Sequence, residues 1–177
     1  GILGVVHALG KHDLKRLLAY SSIENIGIIL LGLGLGMLGI TAGNRLMAAF
    51  GFAGALLHVL NHALFKSLLF LGAGAVLHAT STRQLDQLGG LLRAMPVTGR
   101  TFLAGSAAIA GLPPLNGFVS EFLIYYAAFQ GLSLAGGYLL LCLFTIVSLA
   151  LIGGLASACF TKVAGVVFLG EPRTEHA

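Results

Sequence analysis

Three ionisable residues repeat at a spacing of four: His58, His62 and Lys66. In a helix, positions i, i+4 and i+8 stack on one face, drifting about 40° per step and covering about 12 Å of axis at 1.5 Å per residue. Imidazole exchanges protons near neutral pH. A file of such groups with water between them is chemistry for passing protons. Two carboxylates belong to the same reading. Glu121 follows Pro113-Pro114 by seven residues, and Glu24 lies about 12 Å along its helix from Arg16 at 1.5 Å per residue.

What makes these residues notable is their surroundings. The chain has 177 residues, of which 57% are hydrophobic and only 9% are charged. Mean hydropathy is +0.96. Soluble domains are about 25% charged. A chain this apolar has no polar coat for water, and a bilayer is its natural solvent. The net charge of +4 sits in short clusters between apolar runs, which argues against nucleic acid and fits loops flanking membrane helices.

The elements that must carry the ionisable groups follow from the apolar runs. Helices are expected over residues 1–9, 16–40, 46–79, 98–111, 117–131 and 138–169, in one transmembrane domain covering 1–177. The opening Gly1-Ile2-Leu3 lies in an apolar stretch without an initiating Met or signal peptide, as expected of an internal piece of a longer chain. The 34-residue run 46–79 exceeds a simple span and predicts a helix that tilts, bends or extends past the bilayer. Residues 80–100 read as the long loop. Gly32 and Gly36 have GxxxG spacing, which lets another helix approach closely. A dinucleotide-binding glycine loop needs a flanking strand, and none is present.

Each half of 98–131 falls short of the roughly 20 residues a span needs. Pro113-Pro114 cannot continue a helix, because proline lacks the N–H and clashes with the preceding turn. The segment is either one discontinuous span or two short helices joined by a turn. One discontinuous span puts Lys11, Lys15, Arg16, Arg83, Arg93, Arg100 and Arg173 on one side and Arg45 on the other. The positive-inside rule then makes the basic side cytoplasmic, and the site a cell inner membrane.

A lysine at mid-membrane costs about 2.5–3.5 kcal/mol on insertion scales. Lys66 lies far from both ends of its run, so its amine cannot easily reach water. An amine held there can exchange between charged and neutral forms. The bland alternatives stand beside these roles. Lys66 and Lys162 could snorkel to the interface. His58 and His62 could merely hydrogen-bond neighbouring helices. Glu121 could hold the frayed backbone of the break, and Glu24 could pair at the interface with Lys15 or Arg16. His7 is a weaker candidate still. A metal at His58 and His62 lacks a third ligand nearby, so none is expected. Cys142 and Cys159 lie about 25 Å apart if helical, which excludes a disulfide between them.

The motifs resemble a known family. Lys11-His12-Asp13-Leu14-Lys15-Arg16-Leu17-Leu18-Ala19-Tyr20-Ser21-Ser22 is similar to the D-(I/L)-K-R-x-(L/I)-A-Y-S motif of the antiporter-like subunits of respiratory complex I (NADH:quinone oxidoreductase). His58-x-x-x-His62-Ala63-Leu64-Phe65-Lys66 resembles their H-x-x-x-H-A-x-F-K segment. Gly111-Leu112-Pro113-Pro114-Leu115-Asn116-Gly117-Phe118-Val119-Ser120-Glu121 resembles their discontinuous helix. Mrp-type cation/proton antiporters share these motifs. Ile23-Glu24-Asn25-Ile26-Gly27, and Glu in the last charged position, lean toward the membrane subunits of hydrogenase-4 and formate hydrogenlyase.

The resemblance implies an all-α polytopic bundle with one Pro-Pro broken helix. It implies a proton-translocating subunit of an oxidoreductase complex, working beside other membrane subunits, with a Mrp-type Na⁺(K⁺)/H⁺ antiporter as the alternative. Lys66 would be the relay lysine, with His58 and His62 beside it. Glu121 would load or release the proton at the broken helix. Apart from the resemblance, the depth of Glu24 in its helix lets it pair with an intramembrane cation and join the relay. The family is built from two inverted five-helix repeats, and this chain resembles the second. The first repeat's own glutamate–lysine pair is missing, so the piece alone is not expected to move protons. Redox centres and the quinone site lie in other subunits of the family, and no cofactor is expected in this chain.

Overall fold

A computed structural model describes residues 1–173. The polar tail beyond Arg173 lies outside the described residues. Helices α1 (Ile2–Leu9), α2 (Leu14–Thr41), α3 (Arg45–Thr80), α4 (Leu91–Ala94), α5 (Pro96–Ile109), α6 (Asn116–Gln130) and α7 (Gly137–Phe168) follow in order. Single 3-10 turns occupy Leu85–Gln87 and Gly131–Ser133. Extended pairing among the described residues is an isolated bridge between Asp13 and Gln84. The fold is an all-α transmembrane bundle, as expected.

Local sequence explains where the helices begin. The Asp13 side chain caps α2 by accepting from the Arg16 backbone N–H at 3.0 Å, and Asn44 caps α3 by accepting from the Met47 N–H at 3.0 Å. Pro96 occupies the first turn of α5, where its missing N–H costs nothing. The expected long loop is therefore shorter than 80–100. Leu85, Leu88 and Leu91 turn inward and are buried, which folds this stretch back as two short turns and lets α5 begin at Pro96.

Helices α2, α3 and α7 are each long and apolar enough to cross a membrane. Their outer faces carry large exposed side chains, including Leu71 at 73% exposure, Leu140 at 67% and Phe144 at 64%. In water such a surface would aggregate; in a bilayer it is the lipid or subunit face. The 36 residues of α3 form one continuous helix, about 54 Å long at 1.5 Å per residue, and so longer than the hydrocarbon core.

Glycines let α2 and α3 meet almost backbone to backbone. A Cβ on Gly51 would overlap the Gly36 nitrogen, and one on Gly39 would overlap the Ala48 nitrogen. The GxxxG expectation for Gly32 and Gly36 is thus met by Gly51 and Ala55 of the facing helix.

The two short helices α5 and α6 are one broken span. Along α3, Phe102 of α5 packs at Gly72 and Gly105 packs at Leu69. Further toward the start of α3, Asn116 of α6 meets Asn61, Ser120 meets His58, and Ile124 meets Gly54. Finally, the Asn44 amide donates to the Gln130 carbonyl oxygen at 3.2 Å. The two halves therefore run end to end, antiparallel to α3. Gly111, at φ +66°, takes the left-handed conformation at the break.

Two apolar clusters fill the interior. One gathers Leu14, Leu17, Leu18, Leu69, Phe102 and Phe160. The other gathers Ile28, Leu35, Met47, Ile124 and Leu149. Between them lies a buried polar layer of Ser21, Glu24 and Asn25 from α2, His58 and Asn61 from α3, and Ser120 from α6, with Lys66 at its edge.

Candidate functional site

Helical spacing delivers the layer. Ser21, Glu24 and Asn25 share the face of α2 turned toward the bundle, one turn apart. His58, His62 and Lys66 project from α3, and side chains there lean toward the helix N-terminus. That lean carries the Lys66 amine toward the polar layer. Its Nζ donates to the Leu18 carbonyl oxygen at 2.6 Å and to the Ser21 hydroxyl. Lys66 is buried, so it does not snorkel.

His58 is fully buried between two polar neighbours. Its Nε2 lies 3.1 Å from Asn25 Oδ1, and its Nδ1 lies 2.8 Å from Ser120 Oγ. Asn61 donates from Nδ2 to Ser120 Oγ at 3.1 Å and to the Asn116 carbonyl oxygen at 2.7 Å. The Asn116 amide returns a bond to Asn61 Oδ1 at 3.2 Å. The face of α3 is thus stitched to the first turn of α6, where the break leaves helix backbone open.

Glu24 is 1% exposed, and both its carboxylate oxygens lack a protein hydrogen-bond partner. The interfacial pairing with Lys15 or Arg16 does not form. The ion pairs among the described residues are His12–Asp86 and Arg83–Asp13, both in the loops on the basic side. Glu24 instead lies within electrostatic reach of Lys66 and Glu121. The Nε2 of His62 is likewise enclosed without a partner. Buried polar atoms that the protein leaves unpaired take a proton or hydration water as partner.

Glu121 stands apart from the histidine face. Successive residues of a helix diverge by about 100°, so when Ser120 meets His58, Glu121 turns to the other flank of α6. Its carboxylate lies beside Gly111 at the break. It lines a cleft of about 410 Å³ between α6 and α7, with Phe118, Tyr125 and Ser157. Cα hydrogen suits Gly111 here, because a Cβ would stand 2.8 Å from Glu121 Oε2.

The weaker candidates resolve into structural roles. Lys162 donates to the Leu9 carbonyl oxygen at 3.0 Å, closing the end of α1 rather than snorkelling. His7 is exposed and stacks on Tyr20, with ring centroids 5.5 Å apart. Cys142 and Cys159 are free, buried thiols. Ser21, Asn61, Asn116 and Ser120 join the site without a charge to mark them in the sequence. Their signal was polarity inside otherwise apolar helices at the spacing of the inward face.

Comparison with known proteins agrees with this architecture. Residues 1–153 match the family model described as NADH:quinone oxidoreductase/Mrp antiporter, transmembrane region. Hydrogenase-4 component B of Escherichia coli K12 is 45% identical over 99% of this chain, which spans 26% of that protein. Formate hydrogenlyase subunit 3 of the same organism is 50% identical over 99% of this chain, which spans 29% of that protein. Among solved structures, the Mrp complex from Dietzia sp. superposes with a TM-score of 0.81 at 27% identity, covering 99% of this chain and 29% of that one. Respiratory complex I from Thermus thermophilus superposes with a TM-score of 0.59 at 32% identity, covering 98% of this chain and 34% of the other. The chain therefore spans between a quarter and about a third of each of these four proteins. It belongs to the NADH:quinone oxidoreductase/Mrp antiporter transmembrane family.

Proposed function

We propose that this chain forms part of a proton-translocating membrane subunit of an oxidoreductase complex of the hydrogenase-4 or NADH dehydrogenase kind. The observation that carries the reading is the buried polar layer centred on Lys66, with Glu24 enclosed beside it. Ionisable residues inside membrane spans are costly, and their default meaning is an ion or proton pathway. The relay consists of Glu121, Lys66, His62, His58 and Glu24. Lys66 holds the proton in the middle, and Glu24 offers the opposite charge from the facing helix. His62 and His58 extend the path along α3 toward the broken span, and Glu121 exchanges protons with the cleft against α7. Electrons are handled outside this chain, by other subunits of the complex. The complex sits in a bacterial inner membrane, with the basic loops at Lys11–Arg16 and Arg83–Arg93 facing the cytoplasm.

The 45–50% identity to hydrogenase-4 component B and formate hydrogenlyase subunit 3 across nearly the whole chain supports the redox-linked reading. A second reading, a Mrp-type Na⁺(K⁺)/H⁺ antiporter subunit, draws support from the close superposition on the Mrp complex. Inverted membrane vesicles carrying the full-length protein in its complex separate the two. The redox-linked reading expects acidification of the lumen on addition of electron donor, and its loss in Glu121→Gln. Acidified vesicles that exchange protons for added Na⁺ or K⁺ without any electron donor favour the antiporter. Unaltered proton movement in Glu121→Gln removes Glu121 from the relay.

A further inference from the structure

We infer that Asn25 fixes the tautomer of His58, and that Ser120 is the partner through which Nδ1 exchanges its proton with the broken span. The inference rests on the relay reading above and assigns positioning roles to two residues outside it.

Donors and acceptors around the ring fix where its hydrogens sit. The Asn25 amide nitrogen donates to the Ser21 carbonyl oxygen at 2.8 Å. That bond turns Asn25 Oδ1, which only accepts, toward His58 Nε2 at 3.1 Å. Nε2 must therefore carry a hydrogen in the neutral ring and in the charged ring alike. The nitrogen that changes state is Nδ1, and it faces Ser120 Oγ at 2.8 Å.

Ser120 has one hydrogen and a choice of acceptors. Its oxygen already accepts from Asn61 Nδ2 at 3.1 Å. With neutral His58, the hydroxyl donates to bare Nδ1. With charged His58, Nδ1–H donates to the oxygen, and the hydroxyl turns to the Gly117 carbonyl oxygen 2.9 Å away. The balance is one hydrated proton taken up at Ser120 Oγ as the hydroxyl's own proton passes to Nδ1, so Ser120 ends with one hydrogen as before, now donated to the Gly117 carbonyl oxygen. Every acceptor it can choose lies on α6 beside the break or is His58 itself. His58 is thereby directed at the broken span and blocked toward α2.

The test uses full-length protein in its reconstituted complex, with ¹⁵N-labelled histidine and His58→Gln to assign the resonances. The expected spectrum has a protonated Nε2 and a bare Nδ1 in neutral His58. Asn25→Leu should release the ring to a mixture of tautomers. Ser120→Ala should keep the Nε2–H tautomer yet slow proton translocation roughly 10²-fold, the low end for a positioned acid–base group. Ser106→Ala, a buried serine outside the layer, serves as a control and should translocate normally. A predominant Nδ1–H tautomer in the parent, or full translocation in Ser120→Ala, overturns the inference. Full translocation in His58→Gln instead overturns His58 as a relay member, so the two failures are distinguishable.

Discussion

Lys66 Nζ donates to the carbonyl oxygen of Leu18 at 2.6 Å, across the interface between α3 and α2. The same oxygen accepts from the hydroxyls of Ser21 at 3.0 Å and Ser22 at 3.3 Å. Three residues of α2 therefore prepare one polar point in an apolar interior, and Glu24 stands a turn beyond it. A charge placed here costs stability unless its surroundings compensate it. Replacing the amine by an apolar side chain of similar length removes that cost, with the enclosed Glu24 carboxylate then held as the neutral acid, and the fold should not suffer. Lys66→Met, of similar length, is expected to unfold in detergent at a temperature equal to or above the parent's. A large drop in that temperature would mark Lys66 as a structural strut.

Glu24 tests the other half of that relationship. Its carboxylate is enclosed and has no protein donor, so shape alone does not explain it. Glu24→Gln keeps the shape but cannot carry a proton. Translocation by the full-length complex should fall roughly 10²-fold while the assembled complex remains intact on native gels. Normal translocation in this variant would return Glu24 to a packing role.

The glycine seam predicts stability rather than transport. Gly51→Leu drives a side chain into the backbone of Gly36 and Gly32. Overpacking of this kind costs about 1–3 kcal/mol. Gly74→Leu points into open space, with nothing within 4 Å of its added Cβ. Thermal unfolding in detergent should separate the two, with only the first variant destabilised.

Gly111 links backbone shape to a candidate relay group. At φ +66°, a non-glycine residue is strained by about 1–3 kcal/mol, and a Cβ would press on Glu121 Oε2. Gly111→Ala is expected to lower stability and translocation together. Glu121→Gln should lower translocation alone. Paired measurements of unfolding and transport on both variants check this contrast.

Much of this was legible in the sequence because membrane helices announce themselves. The apolar runs set α2, α3 and α7 to within a few residues, and Asp13 and Asn44 cap the first two. The spacing of His58, His62 and Lys66 put them on one face, as the fold has them. Helix pairing was not legible. Nothing in the run 16–40 says that Ser21 receives Lys66, because that contact joins residues 45 apart. Ser120 was overshadowed by its charged neighbour, although it is Ser120, and not Glu121, that reaches His58. Lys162 looked like an interfacial lysine because its acceptor, the Leu9 carbonyl oxygen, lies 153 residues away in the chain.

Above all, the proposed relay requires Lys66 to carry the proton across the middle of the membrane. The direct measurement is proton translocation and electron transfer, recorded together in vesicles holding the full-length complex with Lys66→Met. The complex is expected to assemble and its proton translocation to be abolished. Translocation at the parent's ratio of protons to electrons would contradict it.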